Sequence, residues 1–309
     1  MKNKFYYSKL GPKDLKALSN LFYVSRKLSF SEKYLKRKYN NFYLKTFKQY
    51  SYGCFENGQL ISHCGLIPME YIFKKKKYYL GQICDSITHQ DHKRKGHYSK
   101  VVKHIEQKSQ ELGLDGLIVF SNEKSSKIMN TKKNWAFLNT FRYYEIKIKT
   151  FPLLKIVHKM KLNFFYMFLT GIICRLSNPK NTQCNSNSSN SIYCNYSQKF
   201  INYKTYNRNF RIKLLNSHIW FKFEDGIIIG DIESVNEKNL QPILNKLRIF
   251  CVFMGISKIK FISYPGTELD NSLGKIIKFS KERIDVYINL FTEIQVSKIK
   301  LNFSESNTF

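Results

Sequence analysis

Hydrophobic and polar positions alternate in short segments of the first 90 residues, which predicts strands. After a first strand, a meander over residues 50–88 carries the pair Asn57-Gly58, which is typical of a tight hairpin turn. A further turn is predicted at the four lysines of residues 74–77. Two helices are predicted before the meander, one started by Pro12 and one over the basic residues 31–43.

The pattern then changes to a helical period. Five apolar positions fall on one helix face, and Gly113 is placed to end that helix. These positions are Tyr98, Val101, Val102, Ile105 and Leu112. A buried strand over residues 117–120, a helix over 124–133 and a strand over 143–148 are predicted to follow.

Residues 219–290 repeat the same order of elements. A hairpin over residues 219–232 precedes a helix over 240–254 that ends at Gly255. A strand over 259–262, a helix over 269–277 and a strand over 286–290 follow. We infer an internal duplication, and the predicted fold class is α/β (α+β), a mixed sheet flanked by helices with a degenerate second half.

Two segments between these halves differ in composition. Residues 177–199 are rich in Asn and Ser and predict a linker. Residues 162–174 are apolar but too short for a bilayer, which needs about twenty residues. A buried or docking helix is favoured, and peripheral membrane contact through residues 150–176 stays open. The predicted domains are residues 1–150, 151–199, 200–295 and a C-terminal tail, 296–309.

The composition limits the classes of function. The 309 residues carry 52 Lys+Arg against 22 Asp+Glu, a formal net charge of +30. Lysine dominates, with 43 Lys to 9 Arg, and there are two Ala, a bias typical of AT-rich genomes. A lysine-coated surface is therefore favoured over nucleic-acid binding. None of the seven cysteines forms a CxxC pair, so no metal site is predicted.

The N-terminus lacks the apolar core and the cleavage site of a secretory signal, and a reducing cytoplasm is the simplest setting.

The loop within residues 85–100 carries the candidate chemistry. It leads from a strand end into the central helix, where free backbone N–H groups and the helix dipole favour anions. Gly96 allows close approach of the backbone, and Lys93, Arg94 and Lys95 add positive charge. The loop therefore predicts a pyrophosphate site, although an ordinary turn with exposed lysines stays open.

With the order of elements around it, this loop resembles the GNAT acetyltransferase superfamily. The family motif Arg/Gln-x-x-Gly-x-Gly/Ala is matched by residues 93–98, with Lys93 and Tyr98 departing from it. The wider string is similar to a branch that reads Thr-His-Pro-x-x-Arg-x-Lys-Gly-x-Phe-Ser-x-Leu, beginning here at Thr88. The resemblance covers residues 1 to about 150, and the second half resembles the degenerate GNAT-like half of that branch.

The resemblance implies acetyl-CoA as co-substrate and direct transfer of its acetyl group to a primary amine of a small acceptor, such as an amino sugar or amino acid. The pantetheine arm would follow residues 87–89, and the pyrophosphate would lie on the amides of residues 94–99. Asn122, with Ser125 or Ser126, would contact the arm. The implied cofactor-binding residues are Ile87, Thr88, His89, Lys93, Arg94, Lys95, Gly96, His97, Tyr98, Ser99, Asn122 and Ser126.

The general base and acid are open. Strand alternation places Asp85 between two isoleucines, where desolvation would raise its pKa and suit proton abstraction. Asp85 as a hydrogen-bond anchor is the alternative, and His89 and Glu123 are rival bases. The resemblance implies a tyrosine as acid at a position that is Asn130 here, so the acid is unassigned.

Two other functions stay open. One is an aminoacyl-tRNA-dependent transferase of similar duplicated fold, for which several cations of the second half could form a stripe. These cations are Lys199, Lys204, Arg208, Arg211 and Lys213. The other is a non-catalytic acyl-CoA-binding protein, suggested by the missing tyrosine.

Overall fold

A computed structural model gives the structure of the chain. It describes residues 5–39, 43–48, 50–151, 153, 156–157, 168, 171, 191–204 and 209–306, with the backbone alone at 281–283. These residues divide into two compact units. The first comprises Met1–Phe120, Met129–Phe137 and Tyr287–Ser297, and the second comprises Ser121–Ile128, Leu138–Val286 and Lys298–Phe309.

The first unit is built on a mixed sheet. Its strands are β1 (Phe5–Lys9), β2 (Tyr50–Glu56), β3 (Gln59–Phe73), β4 (Lys76–Thr88) and β5 (Gly116–Ser121). They lie in the order β1-β2-β3-β4-β5, antiparallel as far as β4, whereas β4 and β5 are parallel. The helices are α1 (Leu15–Arg26), α2 (Glu32–Tyr39) and α3 (His97–Glu111).

An apolar core joins α1 and α2 to this sheet. Leu18 and Phe22 of α1 are buried with Leu35 of α2 and with Leu60 and Ile87 of the strands. The spacing of Leu18 and Phe22 places both on one helix face, which explains why this segment becomes helical on the sheet. This core fixes α2 close to the end of β4, where the candidate site lies.

The second unit is likewise built on a mixed sheet. Its strands are β6 (Ala136–Lys147), β8 (Phe210–Leu214), β9 (Ser217–Phe223), β10 (Ile227–Glu233), β11 (Lys258–Ser263) and β12 (Phe279–Leu290), and the short strand β7 (Tyr193–Cys194) lies outside this strand order. The order in this sheet is β12-β6-β11-β10-β9-β8. The helices are α4 (Glu123–Met129), α5 (Gln198–Lys204), α6 (Glu237–Phe253) and α7 (Glu268–Gly274).

The predicted fold class and the repeated order of elements are confirmed. A hairpin, a long helix, a parallel strand, a short helix and a further strand follow one another in both halves. Strand β6 begins at Ala136 rather than at residue 143, because its hydrogen bonds come from strands distant in sequence. The apolar segment 162–174, apart from Phe168 and Gly171, and the linker up to residue 190 lie outside the described residues.

Candidate active site

Strands β4 and β5 separate before β4 ends. Their parallel register runs from Leu80 opposite Gly116 to Ile83 opposite Val119. Strand β4 nevertheless continues to Thr88, paired with β3 on its other side. Among the described residues, no strand pairs with the β5 side of β4 beyond Ile83. The Ser86 carbonyl in this stretch accepts a hydrogen bond from the Arg26 guanidinium at 2.7 Å, and the other main-chain groups on that side are available to a ligand.

A β-bulge lies where the strands separate. Two residues of β4, at positions 85 and 86, lie opposite one residue of β3. Asp85 has a φ of 48°, in the left-handed region that non-glycine residues rarely adopt. The bulge also breaks the strict alternation of side chains that was expected along this strand.

The carboxylate of Asp85 is held by two side chains of α2. The ammonium group of Lys38 forms an ion pair with it, and the Tyr39 hydroxyl donates a hydrogen bond to the same oxygen. Burial alone would raise the pKa of Asp85, but the charge of Lys38 and these hydrogen bonds outweigh burial, and the pKa is lowered. The expected rise in this pKa is wrong, and the geometry favours Asp85 as an anchor of the bulge.

His63 supports the bulge from β3. Its Nδ1 lies 3.1 Å from the main-chain oxygen of Asp85, and its Nε2 lies 2.6 Å from Ser51 Oγ. Because a carbonyl oxygen only accepts, Nδ1 carries the proton and Nε2 accepts from the Ser51 hydroxyl. Burial lowers the pKa of His63 to about 4, so its imidazole is neutral near pH 7.

These supporting residues were not predicted from the sequence, although one signal existed. Leu35, Lys38 and Tyr39 are spaced i, i+3 and i+4, and all three are buried on one face of α2. A lysine on an apolar helix stripe requires an acidic partner, because an unpaired buried charge is costly. That partner, Asp85, lies 47 residues further along the chain.

The loop between β4 and α3 contains two left-handed residues. Arg94 has a φ of 63° and Gly96 a φ of 77°. The Lys100 N–H donates to the Gly96 carbonyl at 3.1 Å, the first hydrogen bond of α3. The N–H groups of residues 94–99 make no hydrogen bond to the described residues. Unpaired amides at the positive end of a helix are suited to bind an anion.

Positive side chains surround these amides. Lys93, Arg94 and Lys95 are exposed and form no ion pair with the described residues. A Cβ built on Gly96 would meet no atom within 4 Å, so glycine is needed there for its backbone angle rather than for space. The loop is compatible with the predicted pyrophosphate site, which stays a prediction.

The first side chains of α3 point into the first unit. His97 is 4% exposed, and its Nδ1 lies 3.6 Å from Cys54 Sγ. The Tyr98 hydroxyl donates to Met129 Sδ at 3.8 Å, and burial raises the pKa of Tyr98. Ser99 is half-buried. Because His97 and Tyr98 anchor the helix start inward, only the main chain of these residues is left to contact a ligand.

The predicted arm-binding residues of β4 differ in their contacts. Ile87 is buried, and Thr88 Oγ1 lies 2.9 Å from Ser62 Oγ on β3. The His89 N–H donates to the Ile61 carbonyl at 2.8 Å, and its imidazole is 18% exposed. The main chain of His89 is thus held on the sheet by this hydrogen bond, and its imidazole stays partly accessible.

The predicted residues after β5 lie at the start of α4. The side-chain oxygen of Asn122 accepts the N–H groups of Lys124 and Ser125, each at 3.1 Å, and so caps this helix. Glu123 is 83% exposed and lies 3.4 Å from Lys127. The Ser126 hydroxyl is buried without a hydrogen-bond partner among the described residues.

Asn130, where the resemblance implies a tyrosine, contacts a tyrosine from another strand. The Tyr287 hydroxyl of β12 donates to Asn130 Oδ1 at 2.8 Å. Tyr287 is 2% exposed, and its ring lies 5.7 Å from that of Phe137. The first unit thus has a phenol beside Asn130 that local sequence could not reveal.

Comparison with known protein families gives one match. Residues 9–123 match the model of the acetyltransferase (GNAT) domain. This part of the chain is similar to a GNAT domain. The recognition made from the loop is therefore confirmed, and the family supports acyl transfer. Among curated protein sequences, no match to the chain is found.

Solved structures share the fold at low sequence identity. A probable N-acyltransferase from Enterococcus faecalis V583 is 11% identical, with a TM-score of 0.60 over 92% of this chain and 72% of that one. A GCN5-related N-acetyltransferase from Kribbella flavida is 8% identical, with a TM-score of 0.56 over 93% and 71%. Saccharomyces cerevisiae N-myristoyltransferase with bound myristoyl-CoA is 10% identical, with a TM-score of 0.56 over 92% and 82%.

The second unit lacks the open helix start of the GNAT domain. Before α6, the Asn236 side chain accepts the N–H groups of Lys238 and Asn239, each at 3.0 Å. The Asn239 side chain in turn accepts the Asn236 N–H at 2.8 Å. This capping box satisfies the amides that are left unpaired at the start of α3.

In the second unit, residues 303–305 pack against β10. The register of β10 with β11 stops at Ile229 opposite Phe261, and a bulge precedes Asp231. The C-terminal residues Ser304 and Glu305 are buried, and the Tyr196 hydroxyl lies 2.8 Å from Ser304 Oγ. Burial and the neighbouring carboxylates raise the pKa of Asp231 well above its ordinary value.

Three further features bear on the site. A cavity of about 580 Å³ lies beside α3 and is lined by Lys103, Glu106 and Gln107 among others. No residue of the candidate loop lines this cavity. Within the described ranges, no three His, Cys, Asp or Glu side chains are grouped to hold a metal. No helix among the described residues is long and apolar enough to cross a bilayer.

Proposed function

We propose that this chain transfers an acetyl group from acetyl-CoA to a primary amine of a small acceptor. The loop of residues 93–99 carries the proposal, because six unpaired amides and three cations there suit a diphosphate. The unpaired edge of β4 beyond Ile83 suits the amide-containing arm of coenzyme A. Both features lie in the GNAT domain.

Direct transfer makes modest demands on the protein. The amine nitrogen attacks the thioester carbonyl carbon, a C–N amide bond forms, and the C–S bond breaks. A base first takes a proton from the acceptor ammonium group, which frees the nitrogen lone pair for attack. The nitrogen loses a second proton as the amide forms, and the leaving thiolate receives a proton. N–H groups on the open edge of β4 are suited to polarise the carbonyl. Holding the two substrates together supplies much of the remaining acceleration.

His89 is the base that we assign. The carboxylate of Asp85 is committed to Lys38 and Tyr39, and Glu123 is almost fully exposed. His89 follows the open edge of β4, and its imidazole is partly accessible. For the acid, we assign the Tyr287 hydroxyl, which lies beside Asn130.

The acceptor class is an amino sugar or an amino acid. This choice comes from the family resemblance and from no individual residue of the chain. A longer acyl group is the alternative donor, because the yeast structure of similar fold contains myristoyl-CoA.

The proposal is tested by thiol release from acetyl-CoA and from myristoyl-CoA with a panel of amines. We expect steady thiol release from acetyl-CoA with at least one amine. His89→Gln should lower the rate of this release about 100-fold. Release with myristoyl-CoA alone would contradict the acetyl donor. Coenzyme A binding without release would favour the non-catalytic alternative, and turnover that requires charged tRNA would favour the aminoacyl alternative.

A further inference from the structure

The last turns of α6 carry an uncovered apolar face. Ile249, Val252 and Phe253 are 57%, 51% and 83% exposed. Their spacing of i, i+3 and i+4 places all three on one side of the helix. The opposite side faces the core of the second unit through Leu240, Leu244, Leu247 and Cys251.

The chain that follows β6 extends this face. The Thr150 hydroxyl donates to the Val252 carbonyl at 3.1 Å, which holds Phe151 beside the end of α6. A Cβ on Gly255 would lie 2.3 Å from Leu153 Cβ, so this segment packs directly on the end of α6. Phe151 is 69% and Leu153 39% exposed. The α6 patch is the surface of Phe151, Leu153, Ile249, Val252 and Phe253.

Positive charge surrounds the α6 patch. Lys246 is exposed one turn before Ile249, and Lys147 and Lys149 are exposed at the end of β6. In sequence, residues 146–223 contain thirteen Lys and Arg and no Asp or Glu.

The acidic side chains of the surrounding elements are mostly compensated. Asp225 is ion-paired with Lys258 and Lys260, and Glu237 at the start of α6 is ion-paired with Lys275. Glu145 is exposed on β6, where it lies opposite Lys260 in the strand register. The field around the α6 patch is therefore dominated by lysine.

We propose that the α6 patch docks on an anionic membrane surface. An aromatic and aliphatic patch bordered by lysines matches the boundary between acyl chains and negative headgroups. A contiguous exposed apolar patch of this kind marks an interaction surface. A second copy of the chain is a poorer partner, because both copies would present the same positive charge. This inference is independent of acyl transfer.

The test is flotation of the full chain with vesicles of phosphatidylcholine and with vesicles containing about one third phosphatidylglycerol. The chain should float with the anionic vesicles at low salt, and much less with the neutral ones. Phe253→Glu should lower the bound fraction about tenfold. Tyr23→Glu on α1, where Tyr23 is 52% exposed, makes the same change away from the α6 patch and should have no such effect.

A second measurement uses Phe253→Trp as a reporter. Trp135 and Trp220 are buried, so the new indole should dominate any change in fluorescence. Its emission should shift to shorter wavelength on anionic vesicles and be quenched by brominated lipid. Failure to float, or equal flotation of Phe253→Glu and Tyr23→Glu, would overturn the proposal. If the wild-type chain forms a dimer in the absence of vesicles and Phe253→Glu disrupts that dimer, the patch serves self-association and the proposal is overturned.

Discussion

Asp85 in the first unit and Asp231 in the second occupy equivalent places with opposite surroundings. Each lies two residues beyond the last parallel strand pair, at a bulge. Lys38 compensates the charge of Asp85 and lowers its pKa. Asp231 is buried near Glu233 and Glu305, and its pKa is raised. The repeated backbone is thus kept while the chemistry differs.

The two long helices differ in the same sense. The start of α3 leaves six amides unpaired, whereas Asn236 and Asn239 close the start of α6 with their own side chains. An open helix start costs stability that a capping box would supply. This difference is consistent with the proposed ligand site at the start of α3, whereas the start of α6 is closed by its own side chains.

The largest expected effect on stability comes from Lys38→Met. The substitution leaves the Asp85 carboxylate without its buried cation, so the free energy of unfolding should fall by about 3 to 5 kcal/mol. Urea denaturation measures the change. Lys108→Met, which breaks the exposed pair with Glu111, is the control and should cost less than about 1 kcal/mol. Equal losses for the two variants would contradict the assigned role of the pair.

His63 should make the first unit sensitive to acid. Its folded pKa of about 4 lies below the unfolded value of about 6.5. Neutral His63 therefore stabilises the fold fully above about pH 6.5, and this contribution is lost as the pH falls towards 4. The loss is on the order of 3 kcal/mol. Unfolding measured from pH 7 to 4 should show a flatter dependence for His63→Gln, and an unchanged slope would count against this role.

Tyr287→Phe tests the chemistry of the first unit. If the Tyr287 hydroxyl supplies the proton to the leaving thiolate, kcat should fall about 100-fold with little change in the KM for acetyl-CoA. Tyr264→Phe makes the same change at a buried tyrosine of the second unit and should leave kcat unaltered. A variant of Tyr287 with full kcat would remove this residue from the mechanism.

Asp231→Asn gives the smallest effect, and one of opposite sign. Because the folded pKa of Asp231 is raised, its ionisation costs stability as the pH rises above the unfolded value. The neutral amide should raise the free energy of unfolding at pH 8 by roughly 1 to 2 kcal/mol. Asp85→Asn should lower it, because the buried Lys38 then loses the negative charge that compensates its own. The same sign for both substitutions would break the comparison.

Much of the fold could be predicted from local sequence patterns. The helical period after Gly96, the glycines that end α3 and α6, and the lysine turn after β3 all occur where the pattern predicted them. These features depend on neighbours within a few residues. The sequence could therefore predict the order of elements and the position of the candidate loop.

Long-range contacts were beyond the sequence. Lys38 contacts Asp85, and Asn130 contacts Tyr287, although the residues of each pair lie far apart in sequence. The raised pKa expected for Asp85 assumed two apolar neighbours and missed the lysine of α2. The buried C-terminal Ser304 was likewise hidden, because its partner Tyr196 lies 108 residues earlier.

The central claim is that the amides of residues 94–99 bind the diphosphate of coenzyme A. Gly96 and Gly113 lie at opposite ends of α3, share a φ of 77°, and have no atom within 4 Å of a built Cβ. Glutamate at either position therefore costs the same backbone strain, and only Gly96→Glu places a negative charge at the predicted site.

Calorimetric titration of coenzyme A into both variants tests this claim most directly. We expect Gly113→Glu to bind coenzyme A with wild-type affinity and Gly96→Glu to bind it at least about tenfold more weakly. Equal affinities of the two variants, or no binding by the wild-type chain, would contradict the claim.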